Sequence, residues 1–230
     1  MNHSSDSGEL KMAKYSIFIS AGEVSGDMHG SYLAKALFDL EPDLEITGIG
    51  SQAMKEQNVN ILRDIAPYSS VGLIESIPAV FPVAEVFQLA KNYFSEKRPD
   101  LVVLIDNQGF NLRLAGLTKK YKIPTVYYIG PQEWIWGFKK GPQRVIKKVD
   151  RLFAVFSKEY EIYKEFTDKA EFVGHPLLDI LKPENKEEIR NSLNIPINSQ
   201  VICLMPGSRK HEIDNLLPVF LESVERFGLK

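Results

Sequence analysis

The residue group best suited to chemistry is Gly207-Ser208-Arg209, which stands between an apolar run and a helical pattern over 210–227. Where a strand gives way to a helix, free backbone N–H groups and the positive end of the helix dipole attract an anion. Gly207 lets the backbone approach that anion, Ser208 can donate a hydrogen bond or cap the helix, and Arg209 can bind two oxygens. The three residues predict a phosphate-binding site.

A second candidate is Asp106, at the end of LVVLID, the most apolar strand pattern in the chain. A carboxylate there faces a cleft of low dielectric constant, which raises its proton affinity and suits it to act as a general base. The structural alternative is that Asp106 caps the following helix or accepts hydrogen bonds within the turn. The pattern leaves both interpretations open.

The turn after the first strand pattern combines two glycines with acidic and hydroxyl side chains. Its members are Gly22, Glu23, Ser25, Gly26 and Asp27, a set typical of a substrate loop. A turn in which Ser25 or Asp27 caps the next helix fits the spacing equally well. The spacing does not match the G-x-G-x-x-G fingerprint of dinucleotide sites.

The two tryptophans, Trp134 and Trp136, lie beside a basic stretch over 139–151. Indole rings favour the headgroup boundary of a membrane and cations favour anionic lipid, so this segment resembles a lipid-contacting element. Ordinary packing beside a solvated basic face explains the pattern equally well. Residues 71–94 are unusually apolar, and predict either a second surface for acyl chains or part of the core.

Other reactive residue types give weaker signals. His175 precedes a proline at a strand end, where a turn residue is the favoured interpretation, and no partner spacing predicts a metal site. Cys203, the only cysteine, sits in an apolar pattern that favours a buried, inert thiol. Gly48 and Gly50 indicate a tight turn. There is no Asp-x-Asp pair of the kind that holds a metal in some sugar-nucleotide enzymes.

Alternation of short apolar runs with helical periods predicts the framework that would position these residues. Runs buried on both faces, separated by helices, are typical of an α/β fold with a Rossmann-like parallel sheet and helices on both faces. Ligands bind at the carboxyl ends of the strands in such sheets. The predicted strands are 15–20, 45–50, 101–106, 125–130, 151–156 and 170–175, and the predicted helices are 29–40, 76–96, 111–122 and 157–166.

Composition changes along the chain predict its domains. Residues 1–13 are polar and predict a flexible tail, 14–178 form the Rossmann-like domain, 179–200 form a charged linker with a helix at 186–193, and 201–230 begin a second domain. The second domain starts with an apolar strand pattern at 201. Its helix over 210–227 carries an apolar stripe that we expect to be partly exposed, because one strand and one helix cannot bury it.

Bulk properties exclude several classes of protein. The chain has 230 residues, 44% of them hydrophobic, and a formal net charge of −2, so it is not a polycation that binds nucleic acid. No apolar stretch of about 18 residues predicts a spanning helix, and the polar start is not a signal peptide. A single cysteine fits a reducing compartment.

Six ordered motifs resemble the lipid-A-disaccharide synthase family of inverting glycosyltransferases. They are AGEVSGD, VGLIE, RPDLVVLIDNQGFNLRLA, PQEWIW, the RLFAVF to FVGHP run, and LMPGSR, over about 15–215. The resemblance implies the first half of a two-domain GT-B type fold with only the start of the second half. It also implies transfer of 2,3-diacylglucosamine from its UDP-linked form to 2,3-diacylglucosamine 1-phosphate (lipid X), without metal or cofactor, in lipid A biosynthesis.

The resemblance assigns roles to residues and a place in the cell. Asp106 matches the family's proposed base, Glu23 the acidic residue of its first glycine loop, and Arg209 the arginine of its P-G-S-R motif; Asp106 and Glu23 both remain candidates for the base. Gly109 stands where the family often has a second acid, and G-P-Q-E-W-I-W-G replaces its usual S-P-x-x-W-A-W-R. The implied location is the cytoplasmic face of the inner membrane, as a peripheral protein.

Two further interpretations remain open. One is another sugar-nucleotide enzyme with the same two-domain plan, such as an epimerase, because such enzymes share phosphate-binding loops. The other is a non-catalytic fragment that binds lipid, a second copy or a partner chain supplying the missing half.

Overall fold

The computed structural model describes residues 14–64, 77–131, 140–207 and 210–227. The chain divides into two compact units, Met1–Asp179 and Ile180–Lys230. The predicted tail over 1–13 lies outside the described residues.

The described part of the first unit contains a seven-stranded parallel sheet in the order β3-β2-β1-β4-β5-β6-β7. Strand order reverses between β1 and β4, where Ala21 lies opposite Ile105. In an open parallel sheet this reversal creates a crevice at the carboxyl ends of the two strands. The strands are β1 (Tyr15–Ala21), β2 (Leu44–Ile49), β3 (Asn60–Arg63), β4 (Leu101–Ile105), β5 (Thr125–Tyr128), β6 (Arg151–Ala154) and β7 (Ala170–Phe172).

Helices connect these strands and cover the sheet. In the described residues they are α1 (Val24–Leu40), α2 (Gln52–Glu56), α3 (Ile77–Glu96), α4 (Gln108–Tyr121), α5 (Lys140–Ile146), α6 (Ser157–Lys164) and α7 (Leu177–Ile180), followed by α8 (Lys186–Ser192) and α9 (Lys210–Arg226). The predicted α/β fold is confirmed.

The central strands are apolar throughout because both of their faces are covered. Phe18 packs on one side in a cluster with Phe94 and Leu104, while Ile19 and Ile105 belong to the cluster on the other side. Neighbouring side chains of a strand point to opposite faces, so each face needs its own apolar set. This double burial is the physical reason that continuous apolar runs predicted these strands.

Several predicted elements differ from the observed ones. α1 begins at Val24 rather than at 29, so the predicted substrate loop is largely the first turn of a helix. Gly48 lies inside β2 rather than in a turn, where a Cβ would collide with the Ile19 carbonyl oxygen. The edge strand β3 and the short helices α2, α5 and α7 were not predicted, because they are brief and carry weak periodicity.

The strand predicted from residue 201 is absent from the described structure. Residues 201–207 adopt no regular structure, and Cys203 is exposed rather than buried. An apolar segment forms a strand only where it has a hydrogen-bonded neighbour. The expected exposure of the α9 stripe is confirmed, since Leu216, Leu221 and Phe227 are exposed. Within the described residues no helix is long and apolar enough to cross a membrane.

Candidate functional site

The carboxyl ends of β1 and β4 bring two of the predicted site residues to the same edge of the sheet. Glu23 follows β1 as the N-cap residue of α1, and Asp106 follows β4. The first turn of α1 lies close to that edge, since a Cβ placed on Gly26 would lie 3.7 Å from the Ile105 carbonyl oxygen. The two acids therefore stand on the strands that border the crevice of the sheet.

Asp106 is held in an unusual backbone conformation. Its φ is 49° and that of Asn107 is 39°, in the left-handed region that non-glycine residues seldom adopt. Its N–H donates to the Ile129 carbonyl at 3.2 Å, and its own carbonyl accepts from the Tyr127 hydroxyl at 2.7 Å and from Asn111 Nδ2 at 2.8 Å. Such conformations persist where surrounding structure over-determines them, often at functional sites.

Asn111 links β1 and β4 beneath this turn. The side chain is fully buried; Nδ2 donates to the Ile105 carbonyl at 2.9 Å, while Oδ1 accepts from Ser20 Oγ at 2.7 Å. The amide thus joins both strands that flank the crevice to the carbonyl of Asp106. A fully bonded buried network of this kind makes the position of Asp106 rigid.

The capping role expected as an alternative for Asp106 belongs to its neighbour. Asn107 is the N-cap of α4, and its side chain accepts from the Phe110 N–H at 3.4 Å. Burial raises the pKa of the Asp106 carboxyl, while the Asn107 N–H and the charge of His29 act in the opposite direction. A carboxylate with raised proton affinity at a crevice is a group suited to general base catalysis.

Asp27, predicted for the substrate loop, is buried and uses its carboxylate in hydrogen bonds to the main chain. It is 5% exposed, and its oxygens accept from the N–H groups of Ser51 at 2.6 Å, Ala53 at 2.9 Å and Met54 at 3.3 Å. The carboxylate thus caps α2, rather than α1 as the alternative interpretation expected. Ser25 is exposed in the first turn of α1, whereas Gly22 and Gly26 are buried.

Two histidines lie close to each other, and the sequence did not predict their proximity. His29, on α1, is 8% exposed, and its ring centroid is 5.8 Å from that of His175, which follows β7. Burial lowers the pKa of His29, and the nearby His175 lowers it further, while Asp106 raises it. These two residues are distant in sequence and belong to no spaced motif, so their proximity could not be predicted.

The remaining predicted sites are described only in part. Gly207 is exposed with φ of 115°, a value that favours glycine. Ser208 and Arg209 lie outside the described residues, as do Trp134 and Trp136. Their assignments to phosphate and to lipid or acceptor therefore stay predictions.

Some side chains of the segments predicted to contact lipid pack or hydrogen-bond within the fold. Lys148 Nζ donates to the Leu112 carbonyl at 2.7 Å, which binds the basic stretch to α4. In α3, Val86, Ala90 and Phe94 are buried in the core, so for the described side chains of 71–94 the core interpretation holds on this face.

The chain is similar to known proteins over most of its length. The family model described as lipid-A-disaccharide synthetase matches residues 17–228. A lipid-A-disaccharide synthase of Coxiella burnetii is 37% identical over 214 residues, covering 92% of this chain and 56% of that protein. One of Persephonella marina is 40% identical over 212 residues, covering 90% and 54%. The chain thus spans about half the length of the curated relatives it matches.

Solved structures share the fold at low sequence identity. A UDP-GlcNAc 2-epimerase of Neisseria meningitidis, bound to UDP-GlcNAc, superposes with a TM-score of 0.59 at 13% identity, covering 93% of this chain and 63% of that one. An Anabaena protein, HepE, in complex with UDP and glucose, gives 0.56 at 13% identity, covering 94% and 67%. Because the family model spans nearly the whole chain, and relatives that share more than a third of its residues carry the same description, the chain belongs to the lipid-A-disaccharide synthetase family.

Proposed function

We propose that this chain supplies the acceptor side of an inverting, UDP-sugar-dependent glycosyltransferase. The reaction is transfer of 2,3-diacylglucosamine from UDP to 2,3-diacylglucosamine 1-phosphate (lipid X), with release of UDP. The observation that carries the proposal is the position of Asp106, whose main chain is held by hydrogen bonds and whose half-buried carboxyl lies at the crevice where strand order reverses. Family membership supports the choice of reaction.

In the proposed step, the Asp106 carboxylate takes the proton from an acceptor hydroxyl. The oxygen of that hydroxyl forms a bond to C1 of the donor sugar, and the bond from C1 to the diphosphate oxygen breaks, with its electron pair leaving on UDP. Burial of Asp106 supports this role because the raised pKa makes the carboxylate a better proton acceptor. Glu23, on the neighbouring strand end, is the second candidate for the base.

Stabilisation of the leaving diphosphate is assigned to Gly207, Ser208 and Arg209 at the start of α9. Backbone N–H groups at a helix start and a guanidinium suit the charge that develops on the diphosphate, so no acid is required. Gly22, Ser25, Gly26 and Asp27 are assigned to shaping the turn beside the substrate. Asp27 does so indirectly, through its hydrogen bonds to the start of α2.

Contact with the lipid is assigned to Trp134 and Trp136, which would hold acyl chains at the cytoplasmic face of the inner membrane. The chain would act there as a peripheral protein. A second copy of this chain or a separate protein chain is the proposed partner.

A transfer assay tests the proposal. Purified 230-residue chain is given UDP-linked 2,3-diacylglucosamine and lipid X, and release of UDP is followed for wild type, Asp106→Asn and Asp39→Asn. We expect Asp106→Asn to lose about 10²-fold or more in rate, the usual contribution of a general base. Asp39 is an exposed acid of α1 paired with Lys35, so its variant should retain wild-type activity. Equal rates for Asp106→Asn and wild type would remove Asp106 from the role.

A further inference from the structure

We infer that Tyr127 and Ile129, at the end of β5, are positioning residues for Asp106. They hold its main chain in the left-handed conformation that places its carboxyl at the crevice. The catalytic meaning of this inference rests on the proposed function. Both residues belong to the strand predicted over 125–130, and no sequence motif gave either of them a role in the site.

The hydrogen-bond ladder between β4 and β5 slips by one residue at Asp106. The Val102 N–H donates to the Pro124 carbonyl at 2.9 Å. Bonds of a parallel ladder are evenly spaced, so four positions later in both strands the Asp106 N–H would donate to the Tyr128 carbonyl. It donates instead to the Ile129 carbonyl at 3.2 Å. The end of β5 therefore presents a carbonyl to Asp106 that a regular strand would not place there.

The backbone of Ile129 explains this slip. Its φ is 58°, in the left-handed region, where a β-branched residue is a genuine outlier. The Ile129 N–H donates to the Phe153 carbonyl at 3.3 Å, the regular bond of the β5–β6 ladder, since Tyr128 lies opposite Phe153. The N–H of Ile129 thus stays in register while its carbonyl leaves it. A conformation this costly persists where surrounding contacts impose it, and the bond to Asp106 is one of them.

Tyr127 holds the other polar group of the same main chain. Its side chain is fully buried, and its hydroxyl donates to the Asp106 carbonyl at 2.7 Å. That carbonyl also accepts from Asn111 Nδ2 at 2.8 Å, so it keeps a hydrogen bond when the tyrosine hydroxyl is removed. Tyr127→Phe therefore weakens the hold of β5 on Asp106 without leaving this carbonyl unsatisfied.

The main chain of Asp106 determines where its carboxyl lies. The direction of the Cα–Cβ bond follows from the backbone conformation, and the φ of 49° at Asp106 differs from that of an extended strand. Displacing a reacting group by about 1 Å can cost about 10²-fold in rate. Tyr127 and Ile129 would therefore act on catalysis through the base, without contacting the substrate.

Amide hydrogen exchange followed by nuclear magnetic resonance tests this hold without turnover. The exchange rate of the Asp106 amide is divided by that of Leu104, in the same strand, so that a change in global stability affects both. We expect this ratio to rise about three- to tenfold in Tyr127→Phe, the usual effect of losing one hydrogen bond.

Thr125→Val is the matched control for this measurement. Thr125 begins β5, at the end of the strand away from Asp106, and is 1% exposed. Its Oγ1 lies 2.7 Å from Thr118 Oγ1, so the control also removes a buried hydroxyl from the same strand. The ratio of the Asp106 rate to the Leu104 rate should stay at the wild-type value. An equal ratio in Tyr127→Phe and Thr125→Val overturns the inference.

A measurement on wild type covers the case in which Tyr127→Phe fails to fold. Scalar couplings across hydrogen bonds correlate an amide nitrogen with the carbonyl carbon that its N–H contacts. We expect the Asp106 nitrogen to correlate with the Ile129 carbonyl carbon, and the Val102 nitrogen with that of Pro124. A correlation of Asp106 with Tyr128, or none for Asp106 where the Val102 correlation is observed, overturns the inference.

Kinetics separate positioning from a merely structural role. Where the chain catalyses transfer, Tyr127→Phe should lower kcat about tenfold and leave KM unchanged, because only the base is displaced. Thr125→Val should keep both values, and a wild-type kcat in Tyr127→Phe overturns the positioning role. Absence of transfer by wild type counts against the proposed function alone, because the exchange and coupling measurements do not depend on turnover.

Discussion

Replacing Glu159 by glutamine should make the chain more stable at alkaline pH. Glu159 follows β6 in the first turn of α6 and is 1% exposed. Oε2 accepts from the Val155 N–H at 3.1 Å, but Oε1 is buried without a hydrogen-bond partner among the described residues, next to Gly130. Burial raises the pKa of Glu159 from 4.5 to about 7. Ionising this carboxyl therefore opposes folding.

The direction of the effect follows from proton binding. Between pH 4.5 and about 7 the folded chain holds a proton on Glu159 that the unfolded chain has already released. The stabilisation that the protonated Glu159 contributes is therefore fully present below pH 4.5, and it is lost as the pH rises from 4.5 to about 7. At 1.36 kcal/mol per pKa unit, the loss by about pH 8.5 is about 3 kcal/mol. Glutamine has the shape and hydrogen-bonding groups of the neutral acid, so the Glu159→Gln variant avoids this loss.

Urea unfolding followed by circular dichroism measures the difference. We expect wild type and Glu159→Gln to differ little in unfolding free energy near pH 4, and the variant to exceed wild type by about 3 kcal/mol near pH 8.5. Glu165, exposed at the end of α6, provides the control. Glu165→Gln should have the same unfolding free energy as wild type at both pH values. A constant difference between Glu159→Gln and wild type across this range would refute the reasoning.

Three further predictions concern the framework of the site. Asp27→Ala removes the acceptor of three N–H groups at α2, and urea unfolding should show a loss of about 3 kcal/mol or more. Gly48→Ala drives a methyl group against the Ile19 carbonyl. Ordinary overpacking costs about 1–3 kcal/mol, and we expect this variant to lose more unfolding free energy than that, seen as a lower midpoint of thermal unfolding. Asn111→Ala breaks the bonds to Ser20, Ile105 and Asp106; we expect a loss of about 2–4 kcal/mol and, where transfer is measurable, a fall in kcat. An Asn111→Ala chain as stable as wild type would contradict the role given to the network.

The sequence predicted the sheet well because its strands are buried on both faces. A run such as Leu101–Ile105 is apolar at every position only when two helical layers cover it. The same logic failed at 201–206, where the pattern is as apolar but the segment is exposed and irregular. Apolar character indicates that a segment can be buried; the neighbouring strand decides whether it is.

The site was predictable in part, because the ends of strands could be located. Asp106 and Glu23 both lie at strand ends, as expected, and the order of the sheet makes these ends neighbours. The proximity of His29 and His175 could not be predicted, since 146 positions separate them in the sequence and neither belongs to a spaced motif. Their meeting depends on the path of α1 and on the turn after β7, which periodicity does not describe.

Three of the acids near the carboxyl edge of the sheet, Asp27, Glu159 and Asp106, show why residue type and position alone do not identify a base. Asp27 accepts from three backbone N–H groups and is thereby fixed as a structural carboxylate. Glu159 has one oxygen hydrogen-bonded and the other buried without a partner among the described residues, so its charge is suppressed. Asp106 is intermediate, because its main chain is rigid and its carboxyl is half-buried at the crevice. These differences support the proposed role of Asp106, rather than Asp27 or Glu159, as the base.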